Sequence, residues 1–344
     1  MTKRILAQKT VSAVGLGCMG MSEFYGATDE AESLAVLHRA LELGVDHFDT
    51  ADMYGDGANE VLLGRAFAAH PRRDDLLVAT KCGIARDPGN PSSRIIDNSP
   101  EYIRSAWARS RERLGTRIDL YYLHRITDRG AHIETSMAAM GELLNEGKIG
   151  GAGISEAKAE TIRRAHAALL EATGGRHGLA AVQTEFSLMS RDVEVNDVLA
   201  TCDELGIALV AYSPIGRGLL SGRISKPDDL AGDDIRRTLP RFSADAIGRN
   251  ADIAARIAEV AEELGATSSQ VAIAWVLTRS SRVHAIPGTK RIAYLEENRG
   301  AADLVLSPEI LARIDAVLEA NPVAGTRYTP EMMKAYGMDV VDRV

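Results

Sequence analysis

Three side chains early in the chain have the types and the spacing for proton transfer. Asp49 and Tyr54 stand together in His47-Phe48-Asp49-Thr50-Ala51-Asp52-Met53-Tyr54-Gly55, and Lys81 closes the apolar run Leu76-Leu77-Val78-Ala79-Thr80. A phenol, with a pKa of about 10 in water, serves as a general acid at neutral pH when a neighbouring positive charge stabilises its phenolate. A lysine held by a carboxylate is such a charge. Taken singly these residues have plainer readings: Asp49 as a helix N-cap or structural ion pair, Tyr54 as an amphipathic wall residue, Lys81 as a surface lysine on a strand end. In combination they point to acid catalysis.

For the combination to work, Asp49 and Lys81 must project from neighbouring strand ends. The run Leu43-Gly44-Val45-Asp46-His47-Phe48 reads as a helix end, a glycine stop and a short strand, which leaves Asp49 where a parallel strand meets its outgoing loop. The rhythm continues along the chain. The spacing predicts helices over 29–43, with Thr28 or Asp29 as N-cap, then over 59–69, 100–114, a stretch ending near Glu142 to Glu146, 157–171 and 192–205. Strands between them end at 49, 81, 124, 155, 183 and 212, at intervals of about 30 to 40 residues, the length of one strand–helix unit. Residues 3–17 read as a two-stranded cap merging into a first strand near Gly17, where glycines permit close backbone approach. A Pro/Gly/Ser-rich loop is expected at 86–99.

From Arg217 to Asn250 the rhythm breaks into a long polar, charged segment of the kind that forms a lid or binding loop, with no core-forming period. Helices at 249–264 and 268–279, an eighth strand at 283–286, an eighth helix at 290–302 and an added helix at 307–319 follow. The last 25 residues lack periodicity and read as a tail able to fold over the rim. The pattern predicts one α/β domain over residues 1–344: a (β/α)8 TIM barrel with an N-terminal β-hairpin cap, a long loop after strand seven and an extra C-terminal helix. A doubly wound sheet would need a helix to open at Gly15-Leu16-Gly17-Cys18-Met19-Gly20, and no helical pattern opens there.

Composition bounds the remaining possibilities. The 344 residues, 45% hydrophobic and 26% charged, contain no stretch of about 18 uninterrupted apolar residues, so a soluble globular protein without a membrane span is expected. Gln8 and Lys9 interrupt the first apolar run, which argues against a signal peptide. Cys18, Cys82 and Cys202 are odd in number and far apart, suited to neither a disulfide framework nor a metal-ligand pair, and fit a reducing cytoplasm. A net charge of −8 disfavours nucleic acid as a partner. Nothing in these features speaks to oligomeric state.

Seven motifs occur in order at successive strand ends: Asp-Thr-Ala-x-x-Tyr-Gly at 49–55, Ala-Thr-Lys at 79–81, Asp-Leu-Tyr-Tyr-Leu-His at 119–124, Gly-Ile-Ser at 153–155, Gln-Thr-Glu-Phe-Ser-Leu at 183–188, Tyr-Ser-Pro-Ile-Gly-Arg-Gly at 212–218 and Ile-Pro-Gly-Thr-Lys at 286–290. Through them the chain resembles the aldo-keto reductases over about residues 10–305, and within them the branch that holds the potassium-channel β subunits and the perakine- and pyridoxal-reductase-like enzymes. The resemblance implies a catalytic centre of Asp49, Tyr54, Lys81 and His124. Tyr54 donates a proton to a carbonyl oxygen, Lys81, held by Asp49, lowers the pKa of Tyr54, and His124 orients the carbonyl through a hydrogen bond. Standing alone, His124 would read as a satisfied core histidine. The implied chemistry needs no metal.

The resemblance also implies NADPH. Ser155 and Gln183 offer a hydroxyl and an amide at adjacent rim positions for a carboxamide such as that of nicotinamide, their plainer roles being an N-cap and a loop amide. Tyr212 offers a flat ring for stacking, or simply a rim aromatic. In Ser213-Pro214-Ile215-Gly216-Arg217-Gly218 the glycines free backbone N–H groups for a pyrophosphate and Arg217 and Arg223 add charge, with a plain turn as the alternative. Gly288-Thr289-Lys290-Arg291 opens the eighth helix, where dipole, free N–H groups and two cations suit a 2′-phosphate. Glu297 and Asn298 match the family's adenine contacts, or a solvated helix face. Met19 is a further cofactor contact and, with Phe24, Tyr25 and Met53, a wall of the carbonyl pocket. Many relatives have Asn where this chain has Glu156, and some have Arg where it has Tyr294. Trp107 and Trp275 read as packing residues on helices.

The activity expected is NADPH-dependent reduction of an aldehyde or ketone to an alcohol. A cofactor-sensing regulatory subunit with little turnover is the alternative, disfavoured by the short stretch before the first strand. A lyase forming a Schiff base on Lys81 is a third, disfavoured by the cofactor motifs.

Overall fold

The chain opens with an antiparallel hairpin, β1 (Lys3–Leu6) and β2 (Lys9–Ser12), turned by Ala7 and Gln8 in left-handed conformations. This computed structural model describes residues 2–68, 70–87 and 90–335. After the hairpin a strand–helix repeat begins with β3 (Leu16–Gly17), α1 (Glu30–Glu42), β4 (His47–Asp49), α2 (Ala58–Phe67) and β5 (Leu77–Cys82). A second hairpin, β6 (Ile84–Asp87) and β7 (Asn90–Ile96), interrupts it before α3 (Pro100–Leu114). The repeat resumes with β8 (Leu120–Leu123), α4 (Ile133–Asn145), β9 (Ala152–Ser155), α5 (Ala159–Ala172), β10 (Ala181–Glu185), α6 (Val198–Leu205) and β11 (Ala208–Tyr212). Helices α7 (Ala244–Glu263) and α8 (Ser268–Thr278) precede β12 (Val283–Ile286) and α9 (Ile292–Gly300), and α10 (Pro308–Ala320) and α11 (Pro330–Ala335) follow.

Local signals set these boundaries. Asp29 caps α1 by accepting from Glu32 N at 2.8 Å, and Ser99 caps α3 with Pro100 in the first turn and Gly115, at φ 63°, just past its end. Eight parallel strands lie in the order β12-β11-β10-β9-β8-β5-β4-β3, and the sheet closes on itself through parallel bridges of Val14 to Ala285 and Gly17 to Gly288. A Cβ on Gly17 would sit 2.8 Å from Ile286 O, so glycine is what lets the two edges meet at the rim. Leu77, Ala79, Leu120, Tyr122, Ala181 and Val210 fill the inside of the barrel, and a larger apolar layer, including Phe48, Tyr121, Ile154 and Trp275, packs between strands and helices. Strands covered on both faces carry apolar side chains on both.

Four expectations change. The loop expected at 86–99 is largely the hairpin β6–β7, because a Pro/Gly/Ser composition suits a tight antiparallel ribbon as well as a coil; residues 88 and 89 lie outside the described residues. The helix expected at 192–205 is a short turn at Asp192–Glu194 and then α6, since Asp197 at φ 63° breaks the helical path. In the segment after β11, α7 starts at Ala244 rather than near 249, and Leu219, Leu220, Leu239 and Phe242 are buried in the core, so the segment is less purely polar than its charge suggests. Lastly, the aperiodic tail gains a helix, α11, and its Tyr328 and Met332 reach the rim cavity; residues 336–344 lie outside the described residues. Among the described residues no helix is long and apolar enough to cross a membrane, and all three cysteines are buried and free.

Candidate active site

Strand register brings the rim side chains together. Asp49 pairs with Ala79, Lys81 with Tyr122, Tyr122 with Gly153, Ser155 with Gln183 and Gln183 with Val210. Paired residues share a face and side chains alternate along a strand, so Asp49, Lys81, Ser155, Gln183 and Tyr212 all lie on the barrel's inner face at the ends where the strands exit. His124 follows β8 two residues after Tyr122, in the same phase. Tyr54 comes to them from the loop after β4, which reverses through Gly55, Asp56 and Gly57, all at positive φ.

The Lys81 ammonium is fully buried, ion-paired to Asp49 Oδ1, and donates to Thr50 O at 2.8 Å. The other Asp49 oxygen accepts from Gln183 Nε2 at 2.8 Å. Lys81 Nζ lies 5.2 Å from the centroid of the Tyr54 ring, and the His124 ring meets Tyr54 edge-on at 5.6 Å and 86°. Burial alone would push the Lys81 ammonium down, but the Asp49 carboxylate and the Tyr54 phenol outweigh it and hold it above the usual lysine range. An ammonium held charged is unsuited to form a Schiff base. Burial likewise pushes the Asp49 carboxyl up, opposed by Lys81 and by the Gln183 amide.

For Tyr54 the balance differs from the sequence expectation. Burial raises the phenol, Lys81 pulls it down, Asp49 raises it again, and the net direction is up. Lys81 therefore moderates a raised pKa instead of producing a low one. The physical cause is desolvation, which the sequence does not reveal. Burial, Lys81 and Arg125 hold His124 far below the ordinary imidazole range, so it is neutral at physiological pH and able to donate one N–H. The arrangement is thus a protonated phenol over a buried cation, beside a neutral imidazole.

These groups line a cavity of about 810 Å³ that also reaches the loop after β11 and the start of α9. Of the residues predicted from sequence, Asp49, Tyr54, His124, Met19, Ser155, Gln183, Tyr212, Ser213, Pro214, Ile215, Arg217, Arg223, Gly288, Thr289, Lys290, Arg291 and Asn298 lie on its wall, as do Phe24, Tyr25 and Met53. Lys81 sits beneath the wall through Asp49, Gly216 is buried behind the loop, and Glu297 holds Arg223 at 2.8 Å.

At the α9 end, the N-cap residue Arg291 makes no side-chain cap bond and the first turn carries no acidic residue. Lys290 Nζ donates to Tyr25 O and Ala27 O at 2.8 and 2.7 Å. The guanidinium groups of Arg223 and Arg291 lie 4.2 and 5.4 Å from the centroid of the Tyr294 ring. Arg217 is engaged by Glu185 at 2.9 Å and by the Tyr328 hydroxyl at 2.8 Å, so its charge is already balanced inside the protein.

Sequence reasoning missed Arg125, Tyr328 and Met332, which also line the cavity. Arg125 directly follows the rim residue His124, a positional signal that was available. Tyr328 and Met332 belong to the aperiodic tail, where no local signal exists. Glu156 does not line the cavity; at φ 56° its side chain, only 3% exposed, turns to Arg327 and Tyr212.

Compared with known proteins, residues 13–319 match the model of the aldo/keto reductase family. The aldo-keto reductase yakc [NADP(+)] of Schizosaccharomyces pombe is 38% identical over 330 residues, covering 95% of this chain and 94% of that protein. The aldo-keto reductase str7 of Strobilurus tenacellus is 39% identical over 333 residues, with 94% of each chain covered. Among solved structures, the glycerol dehydrogenase AKR11B4 from Gluconobacter oxydans superposes with a TM-score of 0.83 at 25% identity, over 94% of this chain and 97% of that one. The holo form of the aldo-keto reductase AKR11C1 from Bacillus halodurans gives a TM-score of 0.74 at 27% identity, over 96% and 99%.

Proposed function

The chain belongs to the aldo/keto reductase family, and from that premise we propose that it is an oxidoreductase that uses NADPH to reduce aldehyde or ketone carbonyls to alcohols. The observation that carries this reading is the buried Lys81–Asp49 pair beneath Tyr54, with neutral His124 beside it, opening into a cavity whose far end is rich in cations and uncapped N–H groups. The donor set there suits the cofactor: uncapped N–H groups at the start of α9, with Lys290, Arg291 and Arg223 around them. Ser155 and Gln183 would hold the carboxamide of the nicotinamide, and Tyr212 would offer its ring as a shelf. When bound, NADPH supplies a hydride.

The chain's own residues do the rest. His124 donates a hydrogen bond to the carbonyl oxygen and fixes its direction. Tyr54 passes its hydroxyl proton to that oxygen as charge develops there, and the Lys81 ammonium stabilises the resulting phenolate. Asp49 keeps Lys81 in place and charged, and Gln183 keeps Asp49 in place. Apolar Met19, Phe24 and Met53 exclude water from the reacting carbonyl.

The test is loss of NADPH absorbance against a panel of aldehydes, ketones and quinones. Turnover with at least one class is expected. A folded protein that binds NADPH and turns over none of them would overturn the reductase reading in favour of a nucleotide sensor.

A further inference from the structure

Outside the groups the chemistry uses, a dense buried ionic network joins the C-terminal segment to the floor beneath Tyr212. Glu156 Oε1 accepts from the Tyr212 hydroxyl at 2.8 Å, from Glu185 N at 3.0 Å and from Thr184 Oγ1 at 3.3 Å. Arg327 grips the same carboxylate with both terminal nitrogens, at 3.1 and 2.8 Å. Tyr328, the next residue, lines the cavity; its hydroxyl lies 2.8 Å from Arg217 and 3.5 Å from the Tyr212 hydroxyl. Met332, in the first turn of α11, lines the same cavity.

The segment has a second anchor nearer α10. Asn250 pairs with Ala324 through both backbone groups, each at 2.9 Å, and Arg241 reaches Gly325 O at 3.4 Å. Residues up to Gly325 are therefore held without Glu156; beyond them Arg327 is held by Glu156, Tyr328 by Arg217, and Tyr328 and Met333 also pack into the core. A carboxylate this deeply buried is stable only with its cation in place, and a buried pair is strongly destabilised when one partner is removed. The carboxylate also accepts from the ring that would support the nicotinamide.

We propose that Glu156 is a positioning residue that makes the Tyr212 shelf and the C-terminal wall of the substrate pocket one unit, so that the Glu156–Arg327 pair sets where Tyr328 and Met332 bound the carbonyl pocket. This rests on the carbonyl-reductase reading for its kinetic consequence but not for its structural one. Glu156→Gln keeps the shape and the hydrogen bond from Tyr212 while removing the charge that holds Arg327.

Two measurements on the full chain test it. In Glu156→Gln, trypsin cleavage after Arg327 should accelerate by roughly tenfold or more, because local opening exposes that bond. In the same variant the KM for bulky carbonyls should rise by roughly tenfold, that for the smallest aldehydes by less, and NADPH affinity should stay within about threefold. Arg327→Gln should reproduce the KM changes, Arg327→Lys should recover part of them, and Glu156→Gln with Arg327→Gln should be no worse than either alone. Should Glu156→Gln fail to fold, the Arg327 variants carry the test. Unchanged trypsin cleavage in Glu156→Gln, or an unchanged KM for bulky carbonyls in both single variants, overturns the proposal. If the wild type turns over no carbonyl, the reductase reading fails, and the trypsin measurement still decides on Glu156.

Discussion

Replacing Lys290 and Arg291 by alanine, singly and together, tests how the chain would distinguish NADPH from NADH. The 2′-phosphate is the group that differs, and the start of α9 offers it two cations and uncapped N–H groups. The two cations are not equivalent. Lys290 is partly buried, and two of its ammonium donors are fixed on Tyr25 O and Ala27 O, which leaves a third in a set position. One charge-assisted hydrogen bond from such a group contributes about 1.5 to 3 kcal/mol, or roughly ten- to a hundredfold in affinity. Arg291 is exposed, with its Nη1 on the Tyr294 hydroxyl at 3.2 Å, so solvent screening leaves it about 0 to 1 kcal/mol.

Wild type should therefore prefer NADPH by roughly tenfold to several hundredfold. Lys290→Ala should remove most of that preference, Arg291→Ala at most about fivefold of it, and the double variant all of it. NADH affinity serves as the internal control, since any effect of releasing the Tyr25–Ala27 loop would fall on both cofactors alike and cancel in their ratio. Fluorescence titration with each cofactor, at two salt concentrations, provides the numbers, and added salt should weaken NADPH binding less in Arg291→Ala than in wild type. Equal affinities in wild type, or a preference that survives in the double variant, would refute the reasoning.

Tyr54→Phe should keep NADPH affinity and lose about 10² to 10⁴ in carbonyl reduction, because it removes the proton donor and little else; turnover within a few-fold of wild type would assign the proton to another group. Reduction needs the protonated phenol, so activity is present below the Tyr54 pKa and lost as pH rises through it. Since Lys81 pulls that pKa down, Lys81→Met should move the alkaline limb of the pH–kcat/KM profile to higher pH and lower its plateau, and an unmoved limb would make Lys81 purely structural. Gly17→Ala puts a Cβ 2.8 Å from Ile286 O at the barrel seam and should destabilise the fold by about 1 to 3 kcal/mol in chemical denaturation; wild-type stability would mean that the seam yields freely.

The amino-acid sequence by itself determined what repeats or is local. Strand and helix lengths recur, caps such as Asp29 and Ser99 bond within three residues, and side-chain alternation along each strand sets which rim residues face inward. The strand-end positions 49, 81, 124, 155, 183 and 212 were legible for that reason, and so was the eight-stranded barrel. The β6–β7 hairpin was not, since its composition describes a coil equally well. Only the tertiary structure decided the bond from Gln183 to Asp49, the raised phenol of Tyr54 and the partners of Glu156. The Gln183 bond spans 134 positions and the Glu156–Arg327 pair 171, and no periodicity records contacts of that range. Desolvation is likewise a property of everything that surrounds a side chain once the chain has folded, so the direction of a buried group's pKa is settled by packing and not by its neighbours in sequence.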